Sequence, residues 1–350
     1  MSLLLHDLRR RLARVWHGAV DPVPAVRTIP DDCPAWLLDG RRPSVQYAAD
    51  AAETGSFVFA LAAASRGSGG LSDVLHLGQA LEQGYGLRVS YLVSARQELA
   101  AARDVVARAH AGVRPEQVVD RVERPPEFLC ATAWPTAYDV ARQPSRRKLY
   151  FVQDYEPWFH RQGLRHTYAS ASYELGFEMF TLGPWLAGHV RRGHAGTSPL
   201  GLPFPISDEL SPPPAGERRR VTFYLQPDKE HRGTELLIEA ARRLARAWAG
   251  QRNPPLLTVF GSAANDYLAP DFACDWRGVV SESEIVTLLR ESRVTICTSF
   301  TNLSLIALRA VYHGSAVCDL AEDRLLENLP PEARLLWSGY APDPERKSVV

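Results

Sequence analysis

The sequence has no net charge, no long apolar run and no closely spaced pair of cysteines. Forty Lys and Arg balance forty Asp and Glu over 350 residues, so there is no chain-wide cationic surface of the kind that binds nucleic acid through many phosphate contacts. No nucleic-acid partner is expected. The longest purely apolar run, Phe57 to Ala64, falls far short of the ~20 residues that cross a bilayer. The five cysteines, Cys33, Cys130, Cys274, Cys297 and Cys318, are odd in number and scattered, which excludes a disulfide framework or a CxxC zinc ribbon and predicts reduced, mostly buried thiols. There is no HExxH, no GxGxxG, no Walker lysine after a glycine loop and no GxSxG, so neither a metal nor a cofactor is expected. What remains is an ordinary globular composition, 45% hydrophobic and 23% charged, with ample chain for two domains.

Leu4, Leu8, Leu12 and Trp16 recur at helical spacing beside Arg9, Arg10, Arg11 and Arg14, the pattern of a basic amphipathic helix. Such a helix docks either on the protein's own surface or, as a peripheral contact, on an anionic membrane. Asp7 and the arginine block interrupt the apolar core that a secretory leader needs, so a cytoplasmic protein is expected. Residues 1–54 combine this helix with an irregular, proline-rich lead-in. From Phe57 onward, short apolar or β-branched runs alternate with helical stretches, the signature of βαβ units and a parallel sheet. The alternation breaks at PFPISDELSPPPAGERRR, whose three successive prolines disfavour helix and central strand alike, and resumes at VTFYLQ. The expectation is an α/β chain of two Rossmann-like halves, 55–204 and 220–350, joined by a linker at 205–219.

Four segments place chemistry where strands give way to helices. In Arg66-Gly67-Ser68-Gly69-Gly70 the glycines let a ligand approach free N–H groups, though a plain tight turn needs no ligand. In FVQDYEPWFH, Asp154 and Glu156 offer carboxylates for sugar hydroxyls or a proton, and Tyr155, Trp158 and Phe159 offer flat apolar faces; the alternative is a structural loop whose acids cap helices. In QPDKEHRGTELL, Lys229, His231 and Arg232 precede a helix start suited to a diphosphate, or are simply solvated. In SFTNLSLIALRA, Ser299, Thr301, Asn302 and Ser304 stand at another such junction, where Asn302 is also a natural helix cap.

At YFVQDYEPWF and the following SYELGFEMFTLGPWLA, the sequence resembles the WsaF-type rhamnosyltransferases within the family 4 GT-B glycosyltransferases. ATAWPTAYDVA, YLQPDKEHRGTELLIEA and GVVSESEIVTLLRESRVTICTSF follow the same order, so the resemblance covers most of residues 57 to 320. It implies a GT-B fold, two Rossmann-like domains facing across a cleft, the first holding the acceptor and the second a nucleoside-diphosphate sugar, with metal-independent, retaining transfer. Asp154 and Glu156 would then be the catalytic carboxylates, Tyr155 and Trp158 would meet the acceptor, and Gly69, Gly70, Lys229 and Arg232 would hold the diphosphate. Tyr224, Gln226, Thr301, Asn302, Ser304 and Arg309 would face the donor sugar or nucleotide.

This chain departs from the family on the donor side. Gln226 replaces the basic residue of the strand-end YxRP pattern, Thr301 replaces one glutamate, and Arg309 replaces the glutamate that binds the ribose. A guanidinium accepts no hydrogen bond, so that ribose contact cannot be made in kind. The sequence also ends at ERKSVV, shortly after ARLLW, which suggests a short donor half. The expected function is a retaining glycosyltransferase of polysaccharide biosynthesis, moving a sugar, such as the deoxyhexose rhamnose, onto a hydroxyl of a glycan or small-molecule acceptor. The alternatives are a catalytically impaired, glycosyltransferase-like protein that binds carbohydrate or a partner, and a sugar-nucleotide epimerase.

Overall fold

Strand β1 (Glu53–Leu61) is buried along its last six residues on both faces, as a central parallel strand covered by helices must be. The computed structural model describes residues 44–48, 52–64, 68–93, 98–110, 112–205, 217–262, 272–320, 322–328 and 334–337. The helix expected at 1–16, nearly all of the lead-in, Cys33, Arg66, Gly67, the proline-rich middle of the linker and the ERKSVV end lie outside the described residues.

After β1 come α1 (Gly69–Tyr85), β2 (Arg88–Val93), α2 (Leu99–Ala109), β3 (Val118–Val119), β4 (Pro126–Ala131), α3 (Trp134–Arg142), β5 (Arg147–Val152), α4 (Leu164–Ser172), β6 (Glu178–Leu182), α5 (Pro184–Gly193) and β7 (Leu200–Leu202). The sheet order is β3-β2-β1-β4-β5-β6-β7, with every pair parallel. A second series follows: β8 (Arg220–Tyr224), α6 (Thr234–Trp248), β9 (Leu256–Phe260), β10 (Asp275–Gly278), α7 (Glu282–Glu291), β11 (Ser292–Ile296), α8 (Leu305–Tyr312), β12 (Ala316–Leu320), α9 (Asp323–Leu326) and β13 (Arg334–Trp337). Its order is β10-β9-β8-β11-β12-β13, again all parallel. This is the α/β class with two Rossmann-like halves that the alternation predicts. Both sheets lie within one compact unit, Ser44–Val350.

In each sheet the strand order reverses once, between β1 and β4 and between β8 and β11. Ligands of such sheets lodge at that reversal, beyond the carboxyl ends of the strands. Local signals set the element ends. Ser68 caps α1, its hydroxyl accepting from the Leu71 N–H at 3.3 Å, and Gly86 stops the helix in the left-handed region at φ 65°. Ser281 and Glu284 form a reciprocal capping box at the start of α7. Three short strands, β3, β7 and β10, have no alternation long enough to read in the sequence. Cys130 and Cys297 are buried free thiols, and Cys274 and Cys318 are partly buried ones. Among the described residues no helix is long and apolar enough to cross a membrane.

Helix α1 positions the site because Gly78 lets it press on β2. A Cβ added at Gly78 would lie 2.1 Å from the Tyr91 hydroxyl and 3.1 Å from Val89 Cγ1, and Tyr91 is fully buried. Gly84, on the same helix, has nothing within 4 Å. Gly84→Ala should therefore stabilise the protein by about 1 kcal/mol through helix propensity alone. Gly78→Ala should lose about 1–3 kcal/mol to overpacking despite the same propensity gain. Urea unfolding of the two variants checks this, and equal shifts would contradict the close helix–sheet contact.

Candidate functional site

The carboxyl ends of the two sheets meet at the segments the sequence marks. Beyond β5 the chain runs through Gln153, Asp154 and Tyr155 into a short 3-10 turn, Glu156–Phe159. Beyond β11 it runs from Cys297 to the start of α8. Thr301, fully buried, donates its hydroxyl hydrogen to Asp154 Oδ1 at 2.8 Å. Asn302 donates from Nδ2 to the main-chain oxygens of Gln153 at 2.8 Å and Leu182 at 3.1 Å, while its Oδ1 accepts from the Leu303 N–H at 2.9 Å. Asn302 is thus a tie between the sheets. Phe159 stacks on His231 with ring centroids 4.3 Å apart. Gly69 and Gly70 open α1 at the same place: added Cβ atoms would lie 3.4 Å from Leu305 Cδ1 and 2.9 Å from Gln153 Oε1.

On the second-sheet side the cations gather. Arg232 Nη2 lies 3.8 Å from Asp154 Oδ2, an ion pair too long for a hydrogen bond. Its Nε and Nη1 are buried with no hydrogen-bond partner among the described residues. Two more orphaned groups accompany them, Ser299 Oγ and Thr234 Oγ1, the latter on the first residue of α6. Lys229 Nζ reaches Gln226 Oε1 at 3.4 Å, so an ammonium is delivered to the strand end where Gln226 itself brings no charge. Burial, then the Arg232 charge, holds the Lys229 ammonium below its ordinary pKa. The same two causes, followed by Lys229, push His231 down to about 3 and leave it a neutral ring.

The first-sheet side offers acceptors. Burial raises the Asp154 pKa above the ordinary carboxylate range, against the opposing pull of Arg232, Thr301 and Lys229. Glu156 Oε2 accepts from the Trp134 N–H at 2.5 Å and from the Tyr150 hydroxyl at 2.8 Å. This residue therefore anchors the first turn of α3, and burial pushes its carboxyl up to about 8. Gln153 Oε1 and Asp73 Oδ2 are buried oxygens without partners among the described residues. Asp73 escapes sequence reasoning because a lone acid in an amphipathic helix reads as a solvent-facing residue, whereas here it lies on the covered face of α1.

Tyr155 and Trp158 separate in role. Tyr155 is buried, edge-on to Trp158 at 4.9 Å and hydrogen-bonded to His194 Nε2 at 3.1 Å. Trp158 is 42% exposed and packs near His189 at 4.7 Å, which stacks on Trp185 at 5.0 Å. Trp185 and His189 complete an aromatic wall whose sequence signal is diluted over α5. Farther along the second sheet, Tyr224 lies against Phe260 at 5.1 Å, and burial raises its hydroxyl to about 12. Arg309 Nη1 meets Glu282 Oε2 at 2.8 Å. Ser304 is buried at the start of α8 with no side-chain cap bond.

No protein-family model matches the chain. It is 30% identical over 251 residues, 66% of its length, to the O-antigen biosynthesis protein RfbC of Myxococcus xanthus. That stretch is 19% of RfbC, so the chain spans about a fifth of the length of this relative. Among solved structures it is similar to HepE of Anabaena in complex with UDP-glucose, at 10% identity and a TM-score of 0.47 over 79% of this chain and 83% of that one. The lipopolysaccharide outer core galactosyltransferase WaaB gives 12% identity and a TM-score of 0.45 over 75% and 80%.

The Glu156 carboxyl gives a pH signature. Between its unfolded value of 4.5 and about 8, only the folded state holds the proton, so folding takes up a proton and stability falls as pH rises through that window. Below the window both states are protonated, and above it neither is. Gln at this position keeps an oxygen for the Trp134 N–H and the Tyr150 hydroxyl but has no proton to lose. The melting temperature of Glu156→Gln should fall less than that of the wild type between pH 5 and pH 9, and parallel curves would refute the assignment.

Proposed function

We propose that the chain is a glycosyltransferase that moves a sugar from a nucleoside-diphosphate sugar onto a hydroxyl of a glycan. The observation that supports it most is the Arg232 guanidinium, 14% exposed, with two buried donors that no group among the described residues accepts. Leaving such donors unmet costs about 1–3 kcal/mol each, more for a charged group, and a diphosphate would meet both while the α6 start and Lys229 share its charge. The opposite wall presents acceptors, which suit sugar hydroxyls rather than phosphate. A ligand anionic at one end and hydroxylated at the other matches the two walls.

On this reading the first half receives the acceptor, with Trp158 as the exposed stacking face, and the second half receives the donor. Asp154 orients the acceptor hydroxyl through the oxygen it does not share with Thr301. As the bond from the anomeric carbon to the diphosphate breaks and the acceptor oxygen bonds to that carbon, the leaving diphosphate takes the acceptor's proton. Arg232 and Lys229 stabilise the charge developing on the leaving group. No protein nucleophile and no metal are invoked, and configuration is retained. The ribose, which meets Arg309 where a carboxylate would be needed, has Glu282 in reach, a carboxylate 77% exposed and held by Arg309. The likeness to a protein of O-antigen biosynthesis supports a polysaccharide acceptor, and a deoxyhexose such as rhamnose follows from the resemblance in the sequence. A membrane-surface location through residues 1–16 belongs to the same proposal.

A second reading, a glycosyltransferase-like binding protein without transfer, is favoured by Gln226 and Arg309, which stand where the resemblance implies a basic residue and a glutamate. Calorimetry with UDP, dTDP and GDP separates the two. The enzyme binds at least one of them at micromolar levels and releases it from the matching nucleotide sugar when a glycan acceptor is added. Arg232→Ala should weaken that binding about 10- to 100-fold, the equivalent of losing charged hydrogen bonds. No nucleotide binding, together with glycan binding, would instead establish the binding protein.

A further inference from the structure

Asp73 lies on the first turns of α1, three residues beyond Gly70, and is only 6% exposed. Its Oδ2 is nonetheless buried without a hydrogen-bond partner among the described residues. An acid placed in this way destabilises the fold unless a further group completes it. The surroundings say what that group is. The helix turn that bears Asp73 is the one brought against Leu305 and Gln153 by Gly69 and Gly70, and the Asp154 charge is felt at Asp73. Gln153 Oε1 is a second buried acceptor with no partner. A phosphate, which only accepts, would leave Gln153 Oε1 unmet. A hydroxyl, which donates as well as accepts, satisfies both groups.

We propose that Asp73 is a specificity residue that binds a hydroxyl of the donor's sugar ring, with Gln153 Oε1 beside it for a neighbouring hydroxyl. The inference rests on the nucleotide-sugar reading above and adds the group that recognises the sugar. Burial, then the Asp154 charge, raises the Asp73 carboxyl to about 8. At neutral pH it therefore keeps its proton and presents a donor and an acceptor together, the complement of a hydroxyl. Arg232 and Lys229 recognise what every nucleoside diphosphate has in common. Asp73 distinguishes the sugar attached to it.

The test compares each nucleoside diphosphate with its sugar conjugate by calorimetry: UDP with UDP-glucose, dTDP with dTDP-rhamnose, GDP with GDP-mannose. The wild type should bind one conjugate more tightly than the bare diphosphate. Asp73→Ala should reduce that advantage by about tenfold, the loss of one to two hydrogen bonds, while the bare diphosphate binds within twofold of wild type. Asp73→Asn, which retains an acceptor oxygen, should recover most of the advantage. An advantage unchanged in Asp73→Ala overturns the inference and leaves the nucleotide-sugar reading standing, as does a wild type that gains nothing from the sugar. A wild type that binds no nucleotide at all overturns both. Should Asp73→Ala fail to fold by circular dichroism, Asp73→Ser, polar but too short to reach the same point, is judged by the same two results.

Discussion

The meeting of Asp154 with Thr301 and Arg232 is the interaction on which the rest of the site depends. It joins the strand end of one sheet to the strand end and helix start of the other, and it does so with a largely covered carboxylate and guanidinium too far apart to neutralise each other by hydrogen bonding. A buried charge is tolerated only when it is paired or when a guest pairs it. Here the pairing is half made. The Thr301 hydroxyl fixes one carboxylate oxygen, and the guanidinium keeps two donors in reserve. The polarity of the whole region follows from that asymmetry, with donors gathered on the second sheet and acceptors on the first.

The two halves produce that polarity by different means. On the second sheet it comes from chain direction: β8 ends, the Gln226 to Arg232 segment crosses the strand ends, and α6 begins with unsatisfied N–H groups. On the first sheet it comes from side chains packed under cover, Asp73 from α1, Gln153 and Asp154 from the end of β5. Glu156, one residue past Tyr155, turns away and is consumed by the Trp134 N–H and Tyr150 hydroxyl. Two acids separated by a single residue thus do different work, one facing the other sheet and one holding α3 in place.

Much of this was legible in the sequence, and the reasons are physical. Parallel strands buried on both faces leave continuous apolar or β-branched runs, as in FVFAL and VTFYL, and SESE before an apolar helix announces a capping box. The loop around Asp154 and the cations around Arg232 could be found because site residues in such folds must follow strand ends. What could not be read depends on pairings between distant segments. Nothing local in α1 tells that Asp73 is covered, and nothing near Arg309 tells that Glu282 lies 2.8 Å away. Asn302 reads as a helix cap, yet its amide spans to the other sheet. The short edge strands β3, β7 and β10 went unread because so few residues display no clear period.

That amide has a consequence for how this protein can drift over generations. Asn302 grasps the main-chain oxygens of residues 153 and 182, atoms that every amino acid possesses, so mutations of the side chains there leave its grip untouched. All of the vulnerability is concentrated at one codon, where the only other side chain ending in an amide is longer by a methylene. The Thr301 contact has the reverse character, since it survives only while two separate positions keep compatible side chains, and so it is the linkage that a lineage would lose first.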